Sequence, residues 1–194
     1  VYHWNYKTDT EINSGQGSNT WSTSLLNKTN LNTNFINYLG TEWANKIAMT
    51  TWKVGGNTSP NIGSAIPSVA YQNEITNPSA TNTTDNATTY EAKIGLMYVS
   101  DYGFAASPSA WVSKMDNYEQ EYITSNNWMY MGLWEWTISR DSDCSYNAFF
   151  VNLGGYLSNG YARGDLAGRA SFNLVSSITY KSGMGSMSDP IIIN

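Results

Sequence analysis

The N-terminal part of the chain carries apolar residues at the spacing of a helix. Between Ser22 and Gly40 they recur on one helical face, and we predict a helix that ends at Gly40. A second, shorter helix is predicted from Glu42 to Ile47, whose apolar residues also share a face. The positions that carry the first pattern are Leu25, Leu26, Leu31, Phe35, Ile36 and Leu39. Two helices therefore follow a short initial strand in YHWNY (2–6).

The later part of the chain has the pattern of short strands separated by turns. MTTWKVGG (49–56) and the run from Ala92 to Val99 are typical of strands, the second closed by a turn at Ser100 and Asp101. Helices early and strands late predict an α+β fold with a mainly antiparallel, twisted sheet and long loops. The further predicted strands are Trp128–Tyr130, Leu133–Ile138, Ala148–Asn152, Gly155–Ser158, Arg169–Leu174 and Ile178–Tyr180.

Residues 57–90 have the least regular pattern of the chain. Clusters of Pro, Gly, Ser, Thr and Asn surround one short apolar piece, VAYQNEI (69–75), and predict long surface loops. Neither flank carries enough apolar residues for a core of its own. We therefore predict one domain over residues 1–194, a length that suits a single domain.

Composition indicates an extracellular or cell-surface protein. Hydrophobic residues make up 41% of the chain, but charged residues only 13%, against about 25% in typical soluble domains. The net charge is −5 and the 10 Lys and Arg residues are scattered, so nucleic acid is not an expected partner. No apolar run is long enough for membrane insertion. The first residues lack a signal peptide and an initiator Met, which indicates a mature or trimmed fragment.

The cysteine and histidine counts exclude several kinds of chemistry. Cys144 is the single cysteine, which excludes an internal disulfide and a multi-cysteine zinc site. His3 is the single histidine, which leaves no multi-histidine metal site and no convincing Ser-His-Asp triad. We therefore expect no metal, no cofactor and no enzymatic activity.

One carboxylate and one tripeptide have alternative interpretations. Glu135 lies between two tryptophans, where its pKa could be raised for glycoside hydrolysis. Strand alternation instead favours a solvent-facing Glu135. Arg163, Gly164 and Asp165 form an integrin-type tripeptide in a predicted loop, and a match of three residues arises readily by chance.

Two polar segments interrupt the strand pattern inside residues 134–174. RDSDCSYN (140–147) and LSNGYARGD (157–165) are rich in Tyr, Ser, Asn and Arg, the residues that recognition loops favour. Two ordinary solvent loops are the alternative, because loops are where polar residues are usually found. The predicted ligand-binding residues are Arg140, Asp141, Asp143, Cys144, Tyr146, Asn147, Tyr156, Ser158, Tyr161, Arg163 and Asp165.

Four motifs follow one another in a fixed order: KIGLMYVSDYGFA (93–105), WEWTISR (134–140), AFFVNLGGYL (148–157) and GRASFNL (168–174). This succession resembles a family of Firmicute surface proteins, often with pilin-like N-termini, whose globular part is similar to the C-type lectin fold. LGTEWANKIAMTTWKVGG (39–56) and YQNEI (71–75) resemble the first half of that family. Ala167 and Ala170 depart from its pattern, which usually has Val and Pro there.

The resemblance implies a C-type-lectin-like fold and a structural, buried pairing role for Arg169. It also implies similarity to the variable proteins of diversity-generating retroelements, which randomise adenine-containing codons near the C-terminus. Such codons yield the Tyr, Ser, Asp, Cys and Arg residues of the two polar segments. Enzymes of this fold need a cysteine pair or three histidines, and calcium-dependent lectins need Glu-Pro-Asn or Trp-Asn-Asp. The sequence contains none of these.

The expected function is therefore that of a secreted or surface-displayed bacterial domain of adhesin type. Its ligand would be a protein or a glycan on another cell or surface, and pilus or wall assembly would use a missing N-terminal segment. Two alternatives remain open. One is a structural pilus or cell-wall subunit without a ligand of its own, and the other is a glycan-active hydrolase that uses Glu135.

Overall fold

The computed structural model describes residues 2–5, 17–58, 65–78 and 87–194. Within these ranges the protein has an α+β fold with mainly antiparallel sheets, as the sequence predicts. The short initial strand is present as β1, Tyr2–His3. Much of the predicted loop region of 57–90 falls in 59–64 and 79–86, which lie outside the described residues.

The two predicted N-terminal helices are present and joined. Leu26–Phe35 is a π-helix that continues directly into α1, Ile36–Lys46. Gly40 has φ +80° and ψ 167°, so the helical backbone breaks at the residue where the sequence predicts a helix end. Further helices are α2 (Pro67–Tyr71), which continues as the π-helix Gln72–Thr76, α3 (Val99–Phe104) and α4 (Glu121–Thr124). Single 3₁₀ turns cover Trp21–Thr23, Pro108–Ala110 and Met115–Asn117.

The largest sheet is built around one long central strand, β6 (Glu135–Asp141). Its strand order is β1-β9-β6-β7-β8, and β3 pairs with the far end of β6. The β3–β6 and β6–β9 pairs are parallel, and the β1–β9, β6–β7 and β7–β8 pairs are antiparallel. The other members are β3 (Gly56–Asn57), β7 (Asn147–Val151), β8 (Leu157–Tyr161) and β9 (Asp165–Gly168).

In the part of the chain that the structure describes, six more strands form three two-stranded sheets. The pairs are β2 with β4, β5 with β10 and β11 with β12. Their ranges are β2 (Thr50–Lys53), β4 (Thr89–Ala92), β5 (Ile94–Gly95), β10 (Ser171–Phe172), β11 (Tyr180–Ser182) and β12 (Ile192–Ile193). The predicted strand in MTTWKVGG is thus confirmed as β2.

Among the described residues, two hydrophobic clusters lie on opposite faces of the largest sheet. Alternate residues of β7 point to opposite faces, and Phe150 packs in one cluster while Phe149 packs in the other. The cluster around Phe150 contains Trp4, Trp21, Trp52 and Trp136, and we call it the Trp4 cluster. The cluster around Phe149 contains Tyr102, Tyr118, Val151 and Leu157, and we call it the Tyr102 cluster. Strand β6 is buried along its whole length because both of its faces are covered.

The predicted strand from Ala92 to Val99, with a turn at Ser100 and Asp101, is wrong in its second half. Helix α3 begins at Val99, and Asp101 Oδ2 accepts the Tyr98 N–H at 2.9 Å. Glu74 accepts the N–H groups of Val99 at 3.0 Å and Ser100 at 2.9 Å. These carboxylates satisfy backbone donors that a helix start leaves without a partner. Glu74 is 25 positions away in sequence from Val99, so local propensity gives no sign of its contribution.

The predicted strand at Trp128–Tyr130 is also wrong, since this segment forms a turn. The Tyr130 N–H donates to the Asn127 carbonyl at 3.0 Å. The Met129 carbonyl accepts from Arg169 at 2.7 Å instead of pairing with another strand. The aromatic and apolar residues that suggest a strand here are therefore part of a turn held by a side chain.

Burial gives Glu74 a pH-dependent effect on stability. Its side chain is fully buried and accepts a third hydrogen bond from Ser139 Oγ, and burial raises its pKa from 4.5 to about 6. Between these two values the folded chain binds more protons than the unfolded chain, so stability falls as pH rises through that window. A rise of the pKa from 4.5 to about 6 corresponds to about 2 kcal/mol.

We expect the stability difference between the wild type and Glu74→Gln to change by about 2 kcal/mol between pH 4 and pH 7. Urea unfolding at a series of pH values measures it. The exposed Glu91 supplies the matched control, Glu91→Gln, which should leave the pH profile of the wild type intact. Parallel profiles for the wild type and Glu74→Gln would contradict the assignment.

Candidate ligand-binding surface

The two polar segments identified in the sequence meet on neighbouring strands. Asn147 of β7 is paired with Tyr161 of β8, and the Ala162 N–H donates to the Tyr146 carbonyl at 2.8 Å. The rings of Tyr146 and Tyr161 lie 5.6 Å apart at an interplanar angle of 66°. We call residues 143–146 with Tyr161 and Arg163 the paired-tyrosine surface. Its two halves are 15 or more residues apart in sequence and form one continuous patch.

Cys144 and Tyr146 are coupled within this surface. A hydrogen bond with the Cys144 side chain raises the pKa of the Tyr146 phenol, and burial raises the pKa of the Cys144 thiol. Both groups are therefore neutral at pH 7. Cys144 is partly buried and has no disulfide. The surface thus presents a thiol and two phenols, and it is not a site for a reactive thiolate.

Arg163 and Asp165 lie at the turn that connects β8 to β9. The Arg163 guanidinium carbon is 5.9 Å from the centroid of the Tyr161 ring, and the Gly164 N–H closes the turn on the Tyr161 carbonyl at 2.8 Å. His3 Nδ1 lies 3.1 Å from Asp165 Oδ1 and 2.6 Å from the Arg163 carbonyl oxygen. Since both neighbours are acceptors, Nδ1 carries the hydrogen. Arg163 faces solvent, while the Asp165 carboxylate is held by the histidine.

Arg140 and Asp141 are not exposed loop residues, and that part of the prediction is wrong. Both belong to β6 and are 2% exposed. Arg140 Nη2 donates to the Ala87 carbonyl at 3.1 Å. The Asp141 carboxylate accepts the Asp143 N–H at 2.9 Å and Asn159 Nδ2 at 2.8 Å. The Asp141 side chain therefore supports the surface from beneath. Both residues are buried because β6 extends further than its apolar pattern suggests.

Asn19 holds the loop that leads into the paired-tyrosine surface. Its Nδ2 lies 2.9 Å from the carbonyl oxygen of Asp141, 2.6 Å from that of Cys144 and 2.8 Å from that of Asn147. Its backbone N–H donates to the Ser145 carbonyl at 2.8 Å. Asn19 is fully buried. More than 120 positions separate it from these partners, so no local pattern in the sequence indicates its role.

Tyr156 and Ser158 lie away from the paired-tyrosine surface. Both are partly buried, and Ser158 is paired with Phe150 in the β7–β8 ladder. A strand advances about 3.3 Å per residue, so Tyr156 lies roughly 16 Å from Tyr161. Tyr156 and Ser158 are therefore separated from the tyrosine pair, because Leu157–Tyr161 is an extended strand and not a loop.

An open groove adjoins the paired-tyrosine surface. It encloses about 190 Å³, and we call it the aromatic groove. Trp134 is 44% exposed and stacks on Phe150 with 5.3 Å between centroids, while Phe150 meets Trp136 edge-on at 5.8 Å. The lining residues are Trp134, Trp136, Phe150, Gly160, Tyr161, Arg163, Gly164 and Leu166. This groove is not predicted from the sequence, although the Trp-Glu-Trp alternation places both indoles on one face of the chain.

Glu135 points away from the groove into an ion pair with Arg169. Glu135 is 4% exposed; its Oε1 accepts from Arg169 Nε at 2.8 Å and its Oε2 from Nη2 at 2.5 Å. This bidentate contact raises the pKa of Arg169. The solvent-facing position favoured for Glu135 is wrong, and the pairing role expected for Arg169 is confirmed. The carboxylate is engaged on both oxygens and does not face a cleft.

Comparison of the chain with family models, with curated proteins and with solved structures gives no match. Among the described residues, no three His, Cys, Asp or Glu side chains are grouped so that they could hold a metal ion. No helix in residues 2–5, 17–58, 65–78 and 87–194 has the length and apolar character needed to span a membrane.

Proposed function

We propose that this chain is a non-enzymatic, adhesin-like binding domain whose ligand is held at the paired-tyrosine surface. The observation that carries the proposal is the contact between Tyr146 and Tyr161, which joins two polar segments into one exposed patch. Tyrosine presents a large, rigid, amphipathic ring at low entropic cost and is enriched where binding energy concentrates. The domain would act outside the cell or at its surface, on a protein or glycan ligand.

The support beneath the surface favours binding over a purely solvating role. Asn19 and Asp141 fix the backbone of the loop, and their hydrogen bonds are made within the chain before any ligand arrives. A loop that is already ordered loses less conformational entropy when it binds. An ordinary solvent loop needs no such buried hydrogen bonds.

The position of Glu135 supports a function without catalysis. A glycosidase acid must reach the glycosidic oxygen and release its proton there. Glu135 is buried and holds Arg169 through both oxygens, so it is not placed for that role. The other alternative, a structural pilus or wall subunit, predicts no ligand at all and is separated from our proposal by binding experiments.

Tyr146→Ala and Tyr161→Ala are each expected to weaken ligand binding by roughly 1–3 kcal/mol, about 5- to 150-fold. Each should change the free energy of unfolding by less than about 1 kcal/mol, because neither ring is buried in a cluster. Peptides selected against the wild-type domain from a phage-displayed random library serve as ligands. Titration calorimetry measures affinity and urea unfolding measures stability.

Tyr38→Ala is the matched control for these variants. Tyr38 lies on α1 and is 87% exposed, so its replacement removes the same phenol at a distant site. Selected peptides should bind this variant as they bind the wild type. If they bind Tyr146→Ala and Tyr161→Ala with unchanged affinity too, the paired-tyrosine surface is not the binding site.

We further propose that the frame is C-type-lectin-like and that the surface is diversified by a retroelement. Sequences of the coding region from a population of the source organism should then vary at exposed positions of the surface and stay constant in the two clusters. Arg140 and Asp141 are left out of the variable set, since burial constrains them. The expected variable positions are Asp143, Cys144, Tyr146, Tyr161 and Arg163, with Trp136 and Phe149 unchanged. Substitutions spread evenly along the chain would refute diversification by a retroelement. The proposal of ligand binding does not depend on that result.

A further inference from the structure

The aromatic groove is the right size for one ring. Pockets that enclose whole small-molecule ligands have volumes of about 300–1,000 Å³. The groove encloses about 190 Å³ between Trp134, Phe150 and Tyr161. It is therefore too small for an extended ligand and fits a single large side chain or one sugar ring.

The chemistry of the lining favours an aromatic side chain over a sugar ring. The groove is lined by aromatic rings, two glycines and Leu166, and its surface is almost wholly apolar. The indole N–H of Trp136 is already used, since it donates to the Tyr2 carbonyl at 2.9 Å. A sugar ring loses hydrogen bonds to water that this lining does not replace, which costs free energy. An aromatic side chain has at most one polar group to desolvate, and it gains offset stacking or edge contacts with the rings that line the groove.

Charge at the rim defines what lies beside that ring. Arg163 lines the groove, is exposed and stacks over Tyr161. The nearest acidic residue in sequence, Asp165, faces His3 and does not line the groove. The rim therefore presents a positive charge to the ligand. It favours a carboxylate next to the aromatic ring and disfavours a cationic group, although the aromatic walls alone would accept one.

We propose that the aromatic groove is an anchor pocket for a protein ligand, into which an aromatic side chain inserts with a neighbouring carboxylate at Arg163. The inference rests on the proposed binding function and names its ligand class. Leu166 and Trp134 become binding residues, and the paired tyrosines flank the anchor. Interface energy concentrates where one large side chain fills a preformed, water-excluding pocket.

The test uses three small probes: N-acetyl-tryptophan, its amide, and methyl glucoside. Binding is followed by ¹H–¹⁵N correlation spectra of the wild-type protein at the amides of Gly160 and Gly164 and the indole of Trp134. We expect N-acetyl-tryptophan to shift these signals with a Kd of about 0.1–10 mM, as suits a fragment of this size. The uncharged amide should bind about two- to five-fold more weakly, since an exposed ion pair contributes little.

Three variants make the result specific. Trp134→Ala should abolish the shifts, and Arg163→Gln should remove the preference for the carboxylate while leaving the amide's affinity unchanged. Trp128→Ala is the matched control, since Trp128 is 77% exposed and outside the groove. The Arg163 variant changes an exposed side chain, so the test does not depend on Trp134→Ala being folded.

Two outcomes would overturn the anchor pocket. In the first, methyl glucoside shifts the groove signals as strongly as N-acetyl-tryptophan, which indicates a glycan site. In the second, no probe shifts them at about 10 mM. Tyr146 does not line the groove, so Tyr146→Ala should leave probe binding intact. If the probes do not bind, the anchor pocket is wrong and the proposed function is unaffected. If Tyr146→Ala binds peptides as the wild type does, the proposed function is wrong.

Discussion

Trp136→Ala is expected to lower the free energy of unfolding by about 3–5 kcal/mol, the usual cost of removing a buried indole. Trp136 is 1% exposed and lies in the Trp4 cluster, where its ring meets Phe150 edge-on. Its Nε1 also donates to the Tyr2 carbonyl, so the truncation removes a bond that holds β1 to the sheet. A domain is stable by only about 5–15 kcal/mol in total, so this loss is large.

Urea unfolding followed by circular dichroism gives the value, with Tyr146→Ala measured alongside it. The tyrosine variant should lose less than about 1 kcal/mol. The two variants therefore separate stability from binding: one unfolds readily, and the other stays folded and binds weakly. A Trp136→Ala protein as stable as Tyr146→Ala would show that the Trp4 cluster is not the core that its burial indicates.

Arg169→Ala is expected to destabilise the protein by about 3 kcal/mol at pH 7. The change leaves Glu135 buried and charged without its partner, and removing one member of a buried pair costs about 3–5 kcal/mol. We expect the lower end of this range because the Arg169 side chain is 29% exposed.

A double variant supplies the control for this prediction. Glu135→Gln with Arg169→Met removes both charges and keeps similar side-chain volumes, so it should recover much of the stability lost in Arg169→Ala. Urea unfolding at pH 7 measures the wild type, Arg169→Ala and the double variant. A double variant as unstable as Arg169→Ala would mean that packing of the arginine, and not its charge, stabilises the turn at Met129.

Local patterns along the chain predict the elements whose partners are close in sequence. The N-terminal helices could be predicted because apolar residues such as Leu26 and Leu31 recur at helical spacing and lie on the buried side of one segment. The β7–β8 hairpin is visible because its strands are joined by the short turn after Asn152. These elements define the α+β class and most of the central sheet.

The features that the sequence does not predict depend on contacts between segments that lie far apart in the chain. Glu74 completes the start of α3, and Asn19 holds the loop before Asn147; neither contact leaves a periodic signal. Arg140 and Asp141 look like loop residues by type, yet β3 pairs alongside them and buries them. The tyrosine pair could be predicted from residue types, whereas the groove required knowing which faces of β6 and β8 adjoin.

The contacts of Asn19 have a consequence for how the domain could change over generations. The side-chain amide of Asn19 contacts the main-chain oxygens of Asp141, Cys144 and Asn147. The backbone N–H of Asn19 donates to the main-chain oxygen of Ser145. Every amino acid carries a main-chain oxygen, so these bonds do not depend on which side chains follow Asp141. New side chains can therefore be tried at 143–146 while the loop keeps its shape. The side chains that contact a ligand can change between generations, while the buried contacts that hold the loop backbone stay the same.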